Sequence, residues 1–180
     1  PAPFLVMATQ NPIEQEGTHA LPEAQLDRFL MQVRIGFPDA ASELAILRQA
    51  RQGDGSALQV DPAAAMDMAT VAAARAEVAA LHLAPALERY IVELVLASRD
   101  PGRYDPALAG RIAWGASPRG SIALERCARA HAWLAGRDFV IPEDVREVAP
   151  DVLRHRVLPS YEATAEGWDG ERLVADLLDR

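Results

Sequence analysis

Apolar residues recur along most of this chain at the three- and four-residue spacing of an α-helix, and two stretches near its start break that rhythm. Phe4-Leu5-Val6-Met7-Ala8 is a continuous apolar run followed by Gln10-Asn11-Pro12. That pattern predicts a strand over residues 4 to 9 in the middle of a parallel sheet, with its C-terminal end opening into a loop. Strand ends of this kind are where α/β sheets place ligands. Residues 13 to 22 are polar and carry Gly17 and Pro22, and Glu23 to Met31 then predicts a short helix with Leu26, Phe29 and Leu30 on its apolar face. Val33 to Phe37 reads as one more strand.

The character changes after Pro38. Asp39 or Ser42 caps a helix running to about Gln52, and Gly53-Asp54-Gly55-Ser56 breaks it. Asp61 is placed to cap a helix from Pro62 to about Leu81, and Pro85 to Ser98 sets Leu87, Ile91, Leu94 and Val95 on one face, with no competing strand pattern. Asp100-Pro101-Gly102 is a turn signal. A helix over Pro118 to Ala135 aligns Ala123, Cys127, Ala130 and Leu134, and Gly136 stops it. Pro142 followed by Glu143 and Asp144 begins another, with Val145, Val148 and Val152 turned inward, since proline fits a first turn and acids complement the positive end of the helix dipole. Asp169 caps the last, which buries Leu173, Val174, Leu177 and Leu178. The expected fold is mainly α, with a domain boundary near Pro38. The apolar run at Phe4 reads as a strand entered in mid-fold, so a piece of a longer protein is expected.

Half of the 180 residues are apolar, enough for a sizeable core. The net charge of -8 argues against a surface built for nucleic acid or anionic lipid, and most arginines alternate with acids rather than sharing a face. All 18 basic residues are arginine, which excludes a phosphate-gripping loop of the GxxxxGK type. A single cysteine, Cys127, forms no internal disulfide, and with neither a signal peptide nor a membrane-length apolar run a cytoplasmic setting is expected. His19, His82, His131 and His155 lack metal-ligand spacing, so no metal site is expected. Cys127 falls on an apolar stripe and reads as a small hydrophobe. Glu14 and Glu16 have the look of an acid/base pair but are ordinary in a solvated loop.

The segments Ala8-Thr9-Gln10-Asn11-Pro12-Ile13-Glu14-Gln15-Glu16-Gly17-Thr18 and Leu21-Pro22-Glu23-Ala24-Gln25-Leu26-Asp27-Arg28-Phe29 resemble the MoxR family of AAA+ ATPases. Gly115-Ala116-Ser117-Pro118-Arg119 is similar to that family's sensor 2 motif, and Phe139-Val140-Ile141-Pro142-Glu143-Asp144-Val145 and Val152-Leu153-Arg154-His155-Arg156 are similar to its lid helices. The resemblance implies a helical AAA+ lid, residues 38 to 180, preceded by residues 1 to 37 as the last strands and a helix of a P-loop α/β core. It implies that Asn11 is sensor 1, positioning the water that attacks the γ-phosphate, and that Arg28 is an arginine finger reaching a neighbouring subunit's nucleotide. Arg119 would then be the sensor 2 arginine that contacts phosphate. Two departures are His19, where the family usually has Tyr, and Gly120, where a better helix former is common.

Each of these residues also has a plainer reading. Asn11-Pro12 is a turn; Arg28 forms an ion pair with Asp27 or Glu23; Arg119 bends outward to solvent. Arg119 nevertheless poses a physical problem, because Ser117 and Pro118 place it in the opening turn of a helix, where the dipole disfavours a cation unless an anion is present. The implied whole protein uses ATP and Mg²⁺ in a ring, hexameric by resemblance, that remodels or activates other complexes. Its partners would include von Willebrand A domain proteins and metalloenzyme clients. This chain by itself, without the phosphate loop and the acidic strand, is expected to be inactive and to bind no nucleotide tightly. The competing function is a stand-alone helical protein-interaction module without ATPase activity; a nucleic-acid-binding helical domain is a weaker third.

Overall fold

The computed structural model describes residues 4–10, 21–51 and 66–179. Its elements in chain order are α1 (Glu23–Leu26), α2 (Ala40–Arg51), α3 (Met68–Ala80), α4 (Pro85–Arg99), α5 (Pro101–Tyr104), a 3₁₀ turn (Pro106–Leu108), β1 (Ile112–Trp114), α6 (Pro118–Leu134), α7 (Pro142–Leu153), β2 (Leu158–Pro159), α8 (Tyr161–Ala165) and α9 (Gly170–Leu178). The fold is mainly α.

Helix starts are fixed by side chains that satisfy free backbone N–H groups. Asp39 accepts from Ser42 N at 2.8 Å, Asp67 from Thr70 N at 2.6 Å, Ser117 from Arg119 N at 3.1 Å and Asp169 from Arg172 N at 2.9 Å. Gly136, at φ 72°, turns the chain after α6 in the left-handed region that a side chain disfavours. The reversal lays α7 antiparallel against α6. Gly120, Ala123, Leu124, Cys127, Ala128 and Ala132 of α6 are buried, as are Val145, Ala149, Val152 and Leu153 of α7. Leu87, Ile91, Leu94 and Val95 of α4 and Leu173, Val174 and Leu177 of α9 complete the core. Full burial of a leucine or valine contributes about 1.5–3 kcal/mol.

One end of the α6–α7 pair closes on a fully buried carboxylate. Asp144 accepts from Arg137 Nη1 at 2.6 Å, from Ile141 N at 2.9 Å and pairs with His131 Nδ1 at 2.7 Å. Burial alone would raise its pKa, but these donors outweigh it and hold the carboxyl well below its usual range.

Several expectations need correction. Residues 4–10 form no strand, and Phe4 and Leu5 are more than four-fifths exposed. Val33 to Phe37 is likewise irregular, with Ile35 93% and Phe37 94% exposed. A central strand exists only through ladders to its neighbours, and the described residues supply none to either stretch. The helix expected to reach Met31 stops at Leu26, where Asp27 turns its carboxylate to partners outside the helix. Asp61 lies outside the described residues; the helix there begins at Met68, after the Asp67 cap. Asp100-Pro101-Gly102 opens the short helix α5 rather than a plain turn. Leu134 is 76% exposed, so the buried stripe of α6 runs through Leu124, Ala128 and Ala132 instead of Ala130 and Leu134.

The short sheet was not anticipated: β1 pairs antiparallel with β2, Ile112 opposite Pro159 and Trp114 opposite Leu158. Ser160 N extends the contact to Arg111 O at 2.8 Å. Among the described residues no helix is long and apolar enough to cross a membrane.

Gly170, the first residue of α9, packs so closely that a Cβ there would run into the carbonyl of Arg154 and lie 2.8 Å from that of Val157. Gly170→Ala is therefore expected to lower stability by about 1–3 kcal/mol, the usual cost of overpacking against atoms that cannot yield. Urea unfolding followed by circular dichroism measures it, and an unchanged midpoint would contradict the close packing.

Candidate functional site

The other end of the α6–α7 pair carries the residues of interest. Gly115 passes against the end of α4, where a Cβ would run into the Ser98 carbonyl. Ser98 Oγ accepts from Ala116 N at 2.9 Å and donates to Val95 O at 2.7 Å, while Arg99 Nε donates to Ala116 O at 2.7 Å. These bonds fix the loop before α6, and with it the positions of Ser117 and Arg119. Gly120 belongs to the same fit: a Cβ there would sit 3.1 Å from Ala116 Cβ and 3.5 Å from Leu153, so it permits close packing at a position where a better helix former is common in the family.

The anion that the start of α6 calls for comes from the chain itself. Ser117 Oγ donates to Asp27 Oδ2 at 2.8 Å, and Arg119 Nη1 lies 3.2 Å from the same oxygen. Arg156 Nε approaches Asp27 Oδ1 at 3.2 Å. Burial would raise the Asp27 pKa, and the hydroxyl and two guanidinium groups more than reverse this, leaving it below its ordinary value. Arg119 keeps 58% of its side chain exposed, so it neither points freely into solvent nor is consumed by the pair.

Arg156 is nearly sealed, with 2% of its side chain exposed. Besides the carboxylate it donates to the carbonyls of Asp27 and Leu30, each at 3.2 Å, and to those of Phe29 and Val152. Burial pushes its pKa down and Asp27 pulls it back up. His155 beside it is 6% exposed, with Nε2 3.4 Å from Phe29 O and no partner at Nδ1 among the described residues. Asp27, Trp114, Ser117, His155, Arg156 and Leu158 line a shallow cleft of about 250 Å³ between the end of α1 and the α6–α7 pair.

Arg28 is exposed, and among the described residues its side chain makes no hydrogen bond or ion pair. The pairing with Asp27 expected of an ordinary surface arginine is absent, because Asp27 is already held by three other groups. Asn11 lies outside the described residues. Sequence reasoning missed Asp27, His155 and Arg156, although an Arg-His-Arg run closing an apolar helix is an unusual signal. Among the described residues no three His, Cys, Asp or Glu side chains cluster as metal ligands.

Burial pushes the His155 pKa down to about 4, with the positive Arg156 adding to the effect. An unfolded imidazole takes its proton near 6.5, so between those values the unfolded chain binds more protons and stability rises with pH. Stability is expected to fall by about 1.5 kcal/mol from pH 6.5 to pH 5, a window above most carboxylate titration. Urea titrations at the two pH values measure it, and His155→Asn should remove most of the difference; an equal slope in the variant would refute this assignment.

Comparison with known proteins bears on these residues directly. Residues 107–177 match the AAA lid domain, and residues 1–31 match the family of ATPases associated with various cellular activities (AAA). Over 99% of its length the chain is 43% identical to Chaperone MoxR1 of Mycobacterium tuberculosis, covering 46% of that protein. Over 97% it is 38% identical to Protein MoxR of Paracoccus denitrificans, covering 53%. A solved structure of a candidate ATPase from Cytophaga hutchinsonii superposes with a TM-score of 0.88 at 42% identity, over 99% of this chain and 54% of that one. The chain thus spans about half the length of the relatives it matches. The AAA lid and AAA ATPase matches, with 43% and 38% identity to two MoxR proteins over nearly the whole chain, place it in the MoxR family of AAA+ ATPases.

Proposed function

We propose that this chain supplies the arginine finger and the sensor 2 arginine of a ring-forming MoxR-type machine that hydrolyses ATP to remodel or activate other protein complexes. The observation that carries the reading is the unequal treatment of two adjacent residues. Asp27 is enclosed by Ser117, Arg119 and Arg156, while Arg28 is left exposed, its side chain unpaired among the described residues. A guanidinium stays charged at any working pH and offers a planar fork of donors to phosphate oxygens, so an arginine held this way suits a neighbour's γ-phosphate.

Phosphoryl transfer is accelerated mainly by positioning and by neutralising charge, and Arg28 supplies the second of these. Arg119 offers its exposed guanidinium to phosphate at the start of α6, where Asp27 holds it at present. Asn11 acts as sensor 1, orienting the attacking water. ATP phosphates thus fit the cations of this chain, and Mg²⁺ would neutralise phosphate charge there, although no metal-holding cluster of His, Cys, Asp or Glu stands among the described residues. The ring is a hexamer in the cytoplasm, with von Willebrand A domain proteins and metalloenzymes as partners.

Arg28→Ala in the full-length protein is expected to lower kcat for ATP hydrolysis by roughly 10³-fold or more, with ATP binding changed little. Steady-state phosphate release and nucleotide titration measure the two. A variant that hydrolyses ATP at the normal rate sinks the arginine-finger reading.

A further inference from the structure

The motif Arg154-His155-Arg156 has no part in the function above, yet it contains the most deeply buried guanidinium of the site. Burying a cation costs several kcal/mol unless its donors are well matched, and an apolar residue of similar volume is commonly as stable or more so. Arg156 is matched, and the pattern of its acceptors is informative. The carbonyls of Asp27, Phe29 and Leu30 all accept from it, as does the Asp27 carboxylate. Those residues bracket Arg28 on both sides. On the lid side the same guanidinium bonds Val152 O, in the last turn of α7.

Lysine could not substitute in this geometry, because its ammonium is a compact point charge on a flexible stem rather than a rigid fork of donors. Two further contacts hold the same segment: His155 Nε2 faces Phe29 O at 3.4 Å, and Gln32 N donates to Asp151 O at 2.8 Å. The backbone around Arg28 is therefore anchored to the end of α7 while the Arg28 side chain stays exposed.

From this geometry we infer that Arg156 is the positioning residue for Arg28: it fixes the 27–30 turn to the lid so that the finger projects at a set place and angle. The inference rests on the reading of Arg28 as the arginine finger. It assigns to the lid a role in placing the charge that acts on a neighbouring subunit. Misplacement of a group by about 1 Å can cost on the order of 100-fold in rate.

The test uses the full-length protein with Arg156→Lys and Arg156→Gln, each alone and combined with Arg28→Ala. The lysine variant keeps the buried charge, and circular dichroism confirms that the variants used are folded. Loss of roughly 10- to 100-fold in kcat with a nearly unchanged KM for ATP is expected. The double variant should be no slower than Arg28→Ala alone, since a finger already removed cannot be misplaced. A double variant slower by the full factor of the Arg156 change would show that Arg156 acts independently of Arg28 and overturn the inference. Amide hydrogen exchange provides a second readout that does not depend on hydrolysis: faster exchange over residues 27–32 in Arg156→Lys supports the clamp, and unchanged exchange refutes it. Should Arg28→Ala hydrolyse ATP normally, the arginine-finger reading falls, and the exchange measurement still decides whether Arg156 holds the turn.

Discussion

The close approach of α6 and α7 is the constraint on which the rest depends. It is helped by the small residues that α6 buries, Gly120, Ala123, Cys127, Ala128 and Ala132, with Gly120 facing Leu153 of α7. Branched and long side chains of α7, among them Val145, Val152 and Leu153, fill the space. Interiors packed at this density tolerate little change in volume, so the two helices behave as one rigid body. Because they run antiparallel, the start of α6 and the end of α7 arrive at the same place, and so do Arg119 and Arg156.

Each end of the pair is closed by a carboxylate, and the two differ in origin. Asp144 belongs to α7 itself, is wholly buried, and knits the helix start to Arg137 and His131. Asp27 comes from a distant part of the chain and is a borrowed partner for the helix start that Ser117 caps. The first makes the hairpin self-sufficient; the second ties it to the segment that carries Arg28. Surface pairs such as Arg34 with Asp169 and Glu171 add a further tie, though at exposures near one half they contribute little energy.

The helices were legible where a cap and an apolar stripe coincide. Asp39, Ser117 and Asp169 cap as their chemistry dictates, and α4, α7 and α9 bury most of the residues their spacing points inward. Strand structure was not legible, because a strand is a relation between segments. The run at Phe4 has the composition for a sheet and no ladder among the described residues, whereas Ile112–Trp114 and Leu158–Pro159 pair with almost no periodicity to announce them. The site divides in the same way. The electrostatic conflict at Arg119 could be seen in a window of a few residues, but the anion resolving it lies 92 positions away in the sequence. Arg156 was hidden for the same reason, since its acceptors are mostly carbonyls, which every residue possesses.

Trp114 sits on β1 at the edge of the cleft beside Asp27 and Ser117, with 67% of its surface exposed. The other two tryptophans are engaged within the fold: Trp133 donates to Glu77 at 2.8 Å, and Trp168 is stacked between the guanidinium groups of Arg111 and Arg172 at 4.4 and 3.9 Å. Trp114 is the most exposed of the three indoles and the one beside the Asp27 cluster. Its fluorescence, quenchable from solution, gives the protein a native optical label at the seam between the Asp27 turn and the α6–α7 pair, with no dye to attach and no residue to change.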